Sequence, residues 1–361
     1  MLAICKTEPV RGGIAVQDVV ALGKPTGSNV RLRVEAAGIC GTDLLIYKWG
    51  GFAHRMALPT VLGHEISGVV EAIGPGVTRV AVGDRVSVES HLPCGRCYTC
   101  NRGWSHVCPN TRYPGVDFDG GFASHVMLPE QVLFPVPGDI GPLQAAMMEP
   151  FGIAVHASQE GSGVSGLNVL ISGCGPIGLM NVAAAKALGA NRIVALDINP
   201  LRLRAAETMG ADVTVDVSKG AAADAVAQLT RGRGMDVAID YSAQAGSIDA
   251  LEPLITHGGE LRLLGVPSEP VPVNLERWLF KGLVVRSLHG RRLFSSWETA
   301  TRLLIDGHVD LLPLVSHRLP LSDALEGFDA ALRGEALKII FEPNGPAGTT
   351  PAKNLEREIR P

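Results

Sequence analysis

No apolar run in the 361 residues approaches the ~18 needed to cross a bilayer as a helix, so no membrane span is expected. Residues 1–10 lack the apolar core of a secretory leader, and a cytoplasmic protein is the expectation. No basic cluster occurs either. Lys and Arg total 32 against 36 Asp and Glu, a net charge of −4, which argues against nucleic acid as the main partner. Aromatic residues are few, at 5%. Glycine is plentiful: the 43 residues are about 12% of the chain where ~7% is usual, which points to many tight turns and close backbone approaches. A disulfide framework is also missing. The cysteines number seven, an odd count, in a chain without a leader. Otherwise the composition is that of a globular protein, 46% hydrophobic and 19% charged, and the length allows two or three domains.

The first ~150 residues read as mostly β. Residues 30–35 alternate strictly, as a half-buried strand does; 66–73 are strand-like and end in the turn 74–76; the pattern continues over 80–89. Strands and turns at this spacing predict a partly closed barrel. The character changes near Pro150. Short apolar strands at 168–172, 192–197, 213–215, 236–241, 260–265 and 283–287 alternate with helical runs such as 176–188 and 200–209. That alternation predicts a doubly wound parallel sheet, so the fold class is α/β with two different domains. A helix at 294–307, a capped helix after Ser322 and a strand at 337–341 follow, and this last part is expected to return to the first domain. The expected limits are 1–152 and 291–343 for the first domain and 153–290 for the second. The polar tail 344–361 is expected to be loosely ordered.

Gly173, Gly175 and Gly178 form a G-x-G-x-x-G between the strand ending at 172 and the helix opening at Pro176 and Ile177. In that context the glycines permit a tight turn and a close backbone approach to a pyrophosphate, which the helix N-terminus would hold. Asp197 lies nineteen residues past Gly178, at the end of the next strand. A carboxylate there accepts the ribose hydroxyls of NAD and repels a 2′-phosphate, whereas nearby Arg202 would favour one; with Asp197 present, NAD is expected.

Cys94, Cys97, Cys100 and Cys108 fall within fifteen residues. Four thiolates suit tetrahedral zinc and leave no open position, so a structural site is expected there. A more scattered set is Cys40, His64, Glu65 and Glu149. A thiolate, an imidazole and a carboxylate would make an open zinc site, and Asp43 could hold the second nitrogen of His64. Spacing alone does not connect these residues; each reads equally well as a buried Cys, a core His or a surface Glu.

Together, Gly63-His64-Glu65, the four-cysteine loop and 173–178 resemble the zinc-containing medium-chain dehydrogenase family over nearly the whole chain. Stretches 38–43, Ser90-His91, 149–152, 154–156, 290–297 and 316–318 look most like its threonine-oxidising branch, and polyol dehydrogenases share several of them. The resemblance implies a chaperonin-like catalytic barrel, a Rossmann domain, an active site in the cleft and two zinc ions per chain. Cys40, His64 and Glu149 would bind the catalytic zinc, with Glu65 near enough to ligate or exchange. Thr42 would receive the proton of the substrate hydroxyl, and His91 would sit near the substrate. Leu264, Val266, Leu288 and His289 would lie beside the nicotinamide. A small alcohol, threonine-like or else a polyol or cyclitol, would be the substrate of a homodimer or homotetramer. A cofactor-binding protein without catalysis is the remaining alternative.

The chain departs from the family pattern twice. Leu45 stands where a His often passes the proton to solvent, so His91 or His54 is a candidate for that exit. The loop 49–56 carries His54 and Arg55 in place of acidic residues, and these are candidates for an anionic or polyhydroxyl substrate as well as for a plain solvated loop.

Overall fold

The computed structural model describes residues 1–346 except 221, 243 and 268. Of the expected tail, 347–361 lie outside the described residues. The chain divides into two compact units, Met1–Glu149 with Leu311–Pro361, and Pro150–Asp310.

The first unit holds strands β1 (Leu2–Lys6), β2 (Ile14–Asp18), β3 (Asn29–Gly38), β4 (Thr60–Val61), β5 (Glu65–Ile73), β6 (Arg85–Val88), β7 (His125–Pro129) and β8 (Leu133–Pro135). The second unit holds β9 (Asn168–Ser172), β10 (Arg192–Asp197), β11 (Val213–Asp216), β12 (Met235–Asp240), β13 (Ile255–Leu263) and β14 (Val284–Ser287). Two more strands, β15 (Val315–Leu319) and β16 (Lys338–Phe341), belong to the first unit again.

In the first unit the main sheet runs β15-β16-β3-β5-β6-β8, with β7 also paired to β3; β2-β1-β4 form a small second sheet. The alternation seen at 30–35 is half right. Buried and half-buried residues alternate up to Arg33, and from Val34 to Gly38 every residue is buried. That change marks where β3 enters the interior, with β5 paired along it and β16 paired to its last residues, Ile340 to Gly38 and Phe341 to Ala37. The core packs Val30, Leu32, Val34, Ile66, Val70 and Phe122 against Phe328 and Phe341 from the returning segment. Phe328 stacks on Tyr47 at 5.6 Å and meets Phe122 edge-on at 6.5 Å.

The second unit is a wholly parallel sheet in the order β11-β10-β9-β12-β13-β14. Numbered within the unit this is 3-2-1-4-5-6, the dinucleotide-binding order. Burial on both faces explains why β9 reads as an unbroken buried run. Residues 291–310 go with this unit, so the chain re-enters the first unit at 311 and not at 291. The helix Ser295–Ile305 is held here by Arg292 on Glu160 at 2.8 Å, Gln159 on Thr299 at 3.2 Å and the fully buried Trp297. The helix Pro142–Gln159 escaped the sequence reading. Nearly all its residues are buried, so no polar face shows a helical period, and Pro150 inside it looks like a stop. No helix among the described residues is long and apolar enough to cross a membrane.

Phe328→Ala removes a fully buried ring that joins the returning segment to the barrel core. A loss of about 3–5 kcal/mol is expected, read as a lower urea midpoint with an unchanged m-value.

Candidate active site and metal centres

Cys40 precedes the helix Gly41–Tyr47, and Asp43 in its first turn accepts the Cys40 N–H at 2.9 Å. His64 and Glu65 lie at the start of β5, on the strand paired to the buried end of β3. The fold thus brings ligand atoms of Cys40, His64 and Glu65 within 4.8 Å of one another. Asp43 is fully buried, and its Oδ1 stands 3.9 Å from His64 Nδ1. That separation exceeds a hydrogen bond, so the expected support of the imidazole is electrostatic here.

Glu149 falls outside this trio of mutually close atoms. Its Oε1 accepts the Ser90 hydroxyl at 2.5 Å, and its charge acts on both His64 and Glu65. Glu65, expected as the neighbour that exchanges, is therefore the carboxylate grouped with Cys40 and His64. Glu65 also meets a residue that the sequence reading passed over. Lys338 of β16 donates to its Oε2 and, at 2.8 Å, to the carbonyl of Ile39. Both side chains are about 1% exposed. Gly38 makes room for the pair, since a Cβ there would run into Glu65 Oε2 and stand 2.8 Å from Lys338 Cε. The only signal of this in the sequence was a lysine inside an otherwise apolar strand.

Burial alone would depress the imidazole of His64. The Cys40 thiolate, Asp43 and Glu149 outweigh it and hold His64 up at about 10. Burial likewise pushes the Glu65 carboxyl up, with Glu149 adding to it and Lys338 opposing. So much negative charge around one buried imidazole is what a divalent cation would neutralise, and thiolate, imidazole and carboxylate are zinc donors.

The four-cysteine loop has a different geometry. All four Sγ atoms lie within 4.8 Å of one another, with Cys97 to Cys100 at 3.5 Å, Cys97 to Cys108 at 3.7 Å and Cys108 to Cys94 at 3.6 Å. A disulfide would need about 2.05 Å. A tetrahedron of sulfurs about 2.3 Å from a central zinc has edges of about 3.8 Å, which these separations match. The N–H groups of Cys94 and Asn110 point at Cys108 Sγ, and Thr99 lies 3.0 Å from Cys97 Sγ. The Thr99 contact and the Cys100 N–H pull Cys97 down to about 6. Burial and the neighbouring sulfurs push Cys100 up to about 11, because four adjacent thiols cannot all ionise without a metal.

Near the first site, Thr42 is half-buried in the first turn of its helix. His91 is 5% exposed, with Nδ1 2.8 Å from Glu89 Oε1 and its ring edge-on to Tyr113 at 5.1 Å. Arg55 does not reach for a ligand. It binds both oxygens of Asp117 at 2.8 Å and lies over Phe52 and Tyr113. His54 is exposed and edge-on to Trp49.

In the second unit each motif glycine has its own reason. Gly173 has φ +89°, and a Cβ on Gly178 would strike the Gly173 carbonyl. A Cβ on Gly175 would meet nothing within 4 Å. The open space lies over the N-terminus of the helix Pro176–Ala187, a cradle for a phosphate group. Asp197 ends β10, accepting from Cys174 N–H at 2.7 Å and from Ile198 and Asn199 N–H at 2.8 Å each; Arg202 lies 3.9 Å away. Leu264 donates its N–H to Asp240 at 3.0 Å and Leu288 to Leu263 at 2.9 Å. Leu264, Val266, Leu288 and His289 therefore follow the carboxyl ends of β13 and β14, the edge where such sheets bind ligands; Val266 is 77% exposed.

A barrel carrying a thiolate–imidazole–carboxylate cluster, and a doubly wound sheet carrying a pyrophosphate turn, define a metal-dependent dehydrogenase. The family description "Alcohol dehydrogenase GroES-like domain" matches residues 26–138 and "Zinc-binding dehydrogenase" matches 176–306. L-threonine 3-dehydrogenase of Bacillus velezensis is 41% identical over 95% of this chain and 99% of its own, and that of Pyrococcus abyssi is 38% identical over 94% and 98%. Among solved structures, galactitol-1-phosphate dehydrogenase from Escherichia coli superposes with a TM-score of 0.88 at 28% identity, covering 95% of this chain and 100% of its own. A zinc-binding dehydrogenase from Sinorhizobium meliloti bound to NADP has a TM-score of 0.86 at 29%, covering 95% and 99%. The chain belongs to the zinc-binding alcohol dehydrogenase family. It is an NAD-dependent zinc oxidoreductase acting on a small-molecule alcohol.

Two outcomes follow from these centres. Protein purified without chelator should contain two zinc ions per chain, and a chelator should abolish activity before it unfolds the protein, read by metal analysis against circular dichroism. Zinc must displace the proton that metal-free His64 holds up to about 10. The zinc affinity of that site should therefore rise with pH between 7 and 10 in a chelator competition. Asp197→Ala should narrow the preference for NAD over NADP, mostly through KM; equal efficiency of the unaltered enzyme with both would contradict the role of Asp197.

Proposed function

We propose that the chain oxidises the secondary hydroxyl of a threonine-type 3-hydroxy amino acid. The observation that carries this is the 41% identity to an L-threonine 3-dehydrogenase along 95% of the chain. A wall of acceptor groups beside the metal ligands supports it: Glu89 holds His91, and Ser90 holds Glu149. Acceptors of negative charge suit the ammonium group of an amino alcohol.

In this reading Cys40 and His64 hold the catalytic zinc, and Glu65 and Glu149 are the carboxylates that serve it. Cys94, Cys97, Cys100 and Cys108 hold the structural zinc. Bound zinc supplies a Lewis acid that favours loss of the hydroxyl proton, and the nicotinamide takes the hydride. Thr42, half-buried beside Cys40, receives that proton. Lys338 keeps Glu65 ionised and in place. His91 orients the substrate and leads toward the proton exit that Leu45 cannot supply. Gly173, Gly175 and Gly178 admit the pyrophosphate, and Asp197 takes the adenosine ribose. The assembly is a homodimer or homotetramer, supported by exposed Leu279, Phe280, Val284 and Val285 along the edge strand β14.

A polyol is the second reading, favoured by the likeness to galactitol-1-phosphate dehydrogenase and by the loop 49–56, which has no acidic residue. Arg55 does not supply a phosphate site in that reading, because Asp117 occupies it.

NADH formation from L-threonine, L-serine, sorbitol, galactitol 1-phosphate and butane-2,3-diol decides between the two readings. L-threonine should give the highest kcat/KM; a polyol exceeding it by tenfold or more would replace the amino-alcohol reading.

A further inference from the structure

We propose that Glu89 and Ser90 fix His91 in its Nδ1–H tautomer, so that Nε2 is the proton-accepting atom offered to substrate. The side chain of Glu89 is wholly buried just past β6, where its backbone N–H is tied to Val132 at 2.8 Å. Glu89 Oε1 accepts the backbone N–H of His91 at 2.8 Å and lies 2.8 Å from His91 Nδ1. An oxygen already accepting one N–H in this way takes a second from Nδ1.

Ser90 completes the assignment. Its oxygen lies 3.3 Å from the same Nδ1. A hydroxyl has one proton, and that of Ser90 goes to Glu149 Oε1 at 2.5 Å. Toward Nδ1 the serine oxygen is therefore an acceptor, like the carboxylate. Nδ1 faces two acceptors, so it carries the hydrogen, and in the neutral ring Nε2 keeps its lone pair. Tyr113, edge-on at 69°, packs against the ring and fixes its plane.

Glu89 is thus a positioning residue that acts through His91. It chooses which nitrogen accepts, and its charge stabilises the ring when Nε2 gains a proton. The Nδ1–H form receives an N–H of a cationic amino alcohol at Nε2, whereas the opposite tautomer would meet that N–H with a second donor. This last step rests on the amino-alcohol reading given above; the tautomer does not.

The test uses the zinc- and NAD-loaded enzyme labelled with ¹⁵N in histidine. The His91 ring is assigned as the signal lost in His91→Asn and, independently, by its contact with Tyr113 ring protons. Nδ1 should carry the hydrogen and Nε2 should show the shift of an unprotonated nitrogen. A hydrogen on Nε2 in the neutral ring would overturn the proposal. Glu89→Gln keeps the shape and removes the charge. It should lower kcat/KM for L-threonine about tenfold with zinc content unchanged, and change that for neutral butane-2,3-diol less than about twofold. Equal losses on both substrates would make Glu89 a residue of the fold alone and overturn its positioning role. Should L-threonine not be turned over by the unaltered enzyme, the amino-alcohol reading fails, and the nitrogen shifts still decide the tautomer.

Discussion

A carboxylate buried as deeply as Glu65 costs several kcal/mol unless a cation meets it. Glu65 meets the Lys338 ammonium on one side and stands beside Cys40 and His64 on the other. Much of the first unit follows from that pairing. Lys338 sits on β16, nearly three hundred residues along the chain from Ile39, whose carbonyl it also binds. The chain has to leave the barrel, build a second unit and come back before the site has its fixed positive charge. Gly38 is part of the same arrangement, because any side chain there would displace the pair. The returning strand is therefore electrostatic support for the metal ligands as well as part of the core.

The two sulfur- and imidazole-bearing centres divide their work by openness. Four sulfurs on a short loop form a closed tetrahedron, stiffened by N–H and hydroxyl groups aimed at the sulfurs. The Cys40 centre gathers its donors from the end of β3, the start of β5 and the helix Pro142–Gln159, with one more carboxylate than a three-ligand site needs. Excess negative charge there holds His64 protonated when no metal is bound and draws in a divalent cation. Glu89, Ser90 and His91 extend this polar wall from the end of β6, each side chain taking a different hydrogen-bonding role because only one proton is available to each oxygen pair.

The sequence made local features legible wherever the chemistry is local. The four-cysteine loop and the glycine turn are each built within about fifteen residues, so spacing carries their geometry, and the structure places every one of those residues as the spacing implied. The parallel sheet was legible too, since strands buried on both faces leave unbroken apolar runs between helical stretches. The helix Pro142–Gln159 was illegible because burial all round erases its period. Resemblance to a family brought Cys40, His64 and Glu149 together; their separation along the chain alone did not.

By itself, then, the sequence determined the fold class, the closed sulfur site and the pyrophosphate turn, all of which rest on periodicity or on short-range spacing. Only the tertiary structure decided which carboxylate joins Cys40 and His64, that Lys338 faces Glu65, that Arg55 is spent on Asp117 and that Nδ1 of His91 faces Glu89. The first three are pairings between residues from 35 to 273 positions apart or more loosely placed along the chain, and the last, though only two residues long, depends on which way a buried side chain turns at a strand end. Such choices are fixed by strand pairing and packing, and neither leaves a period or a spacing in the sequence to read.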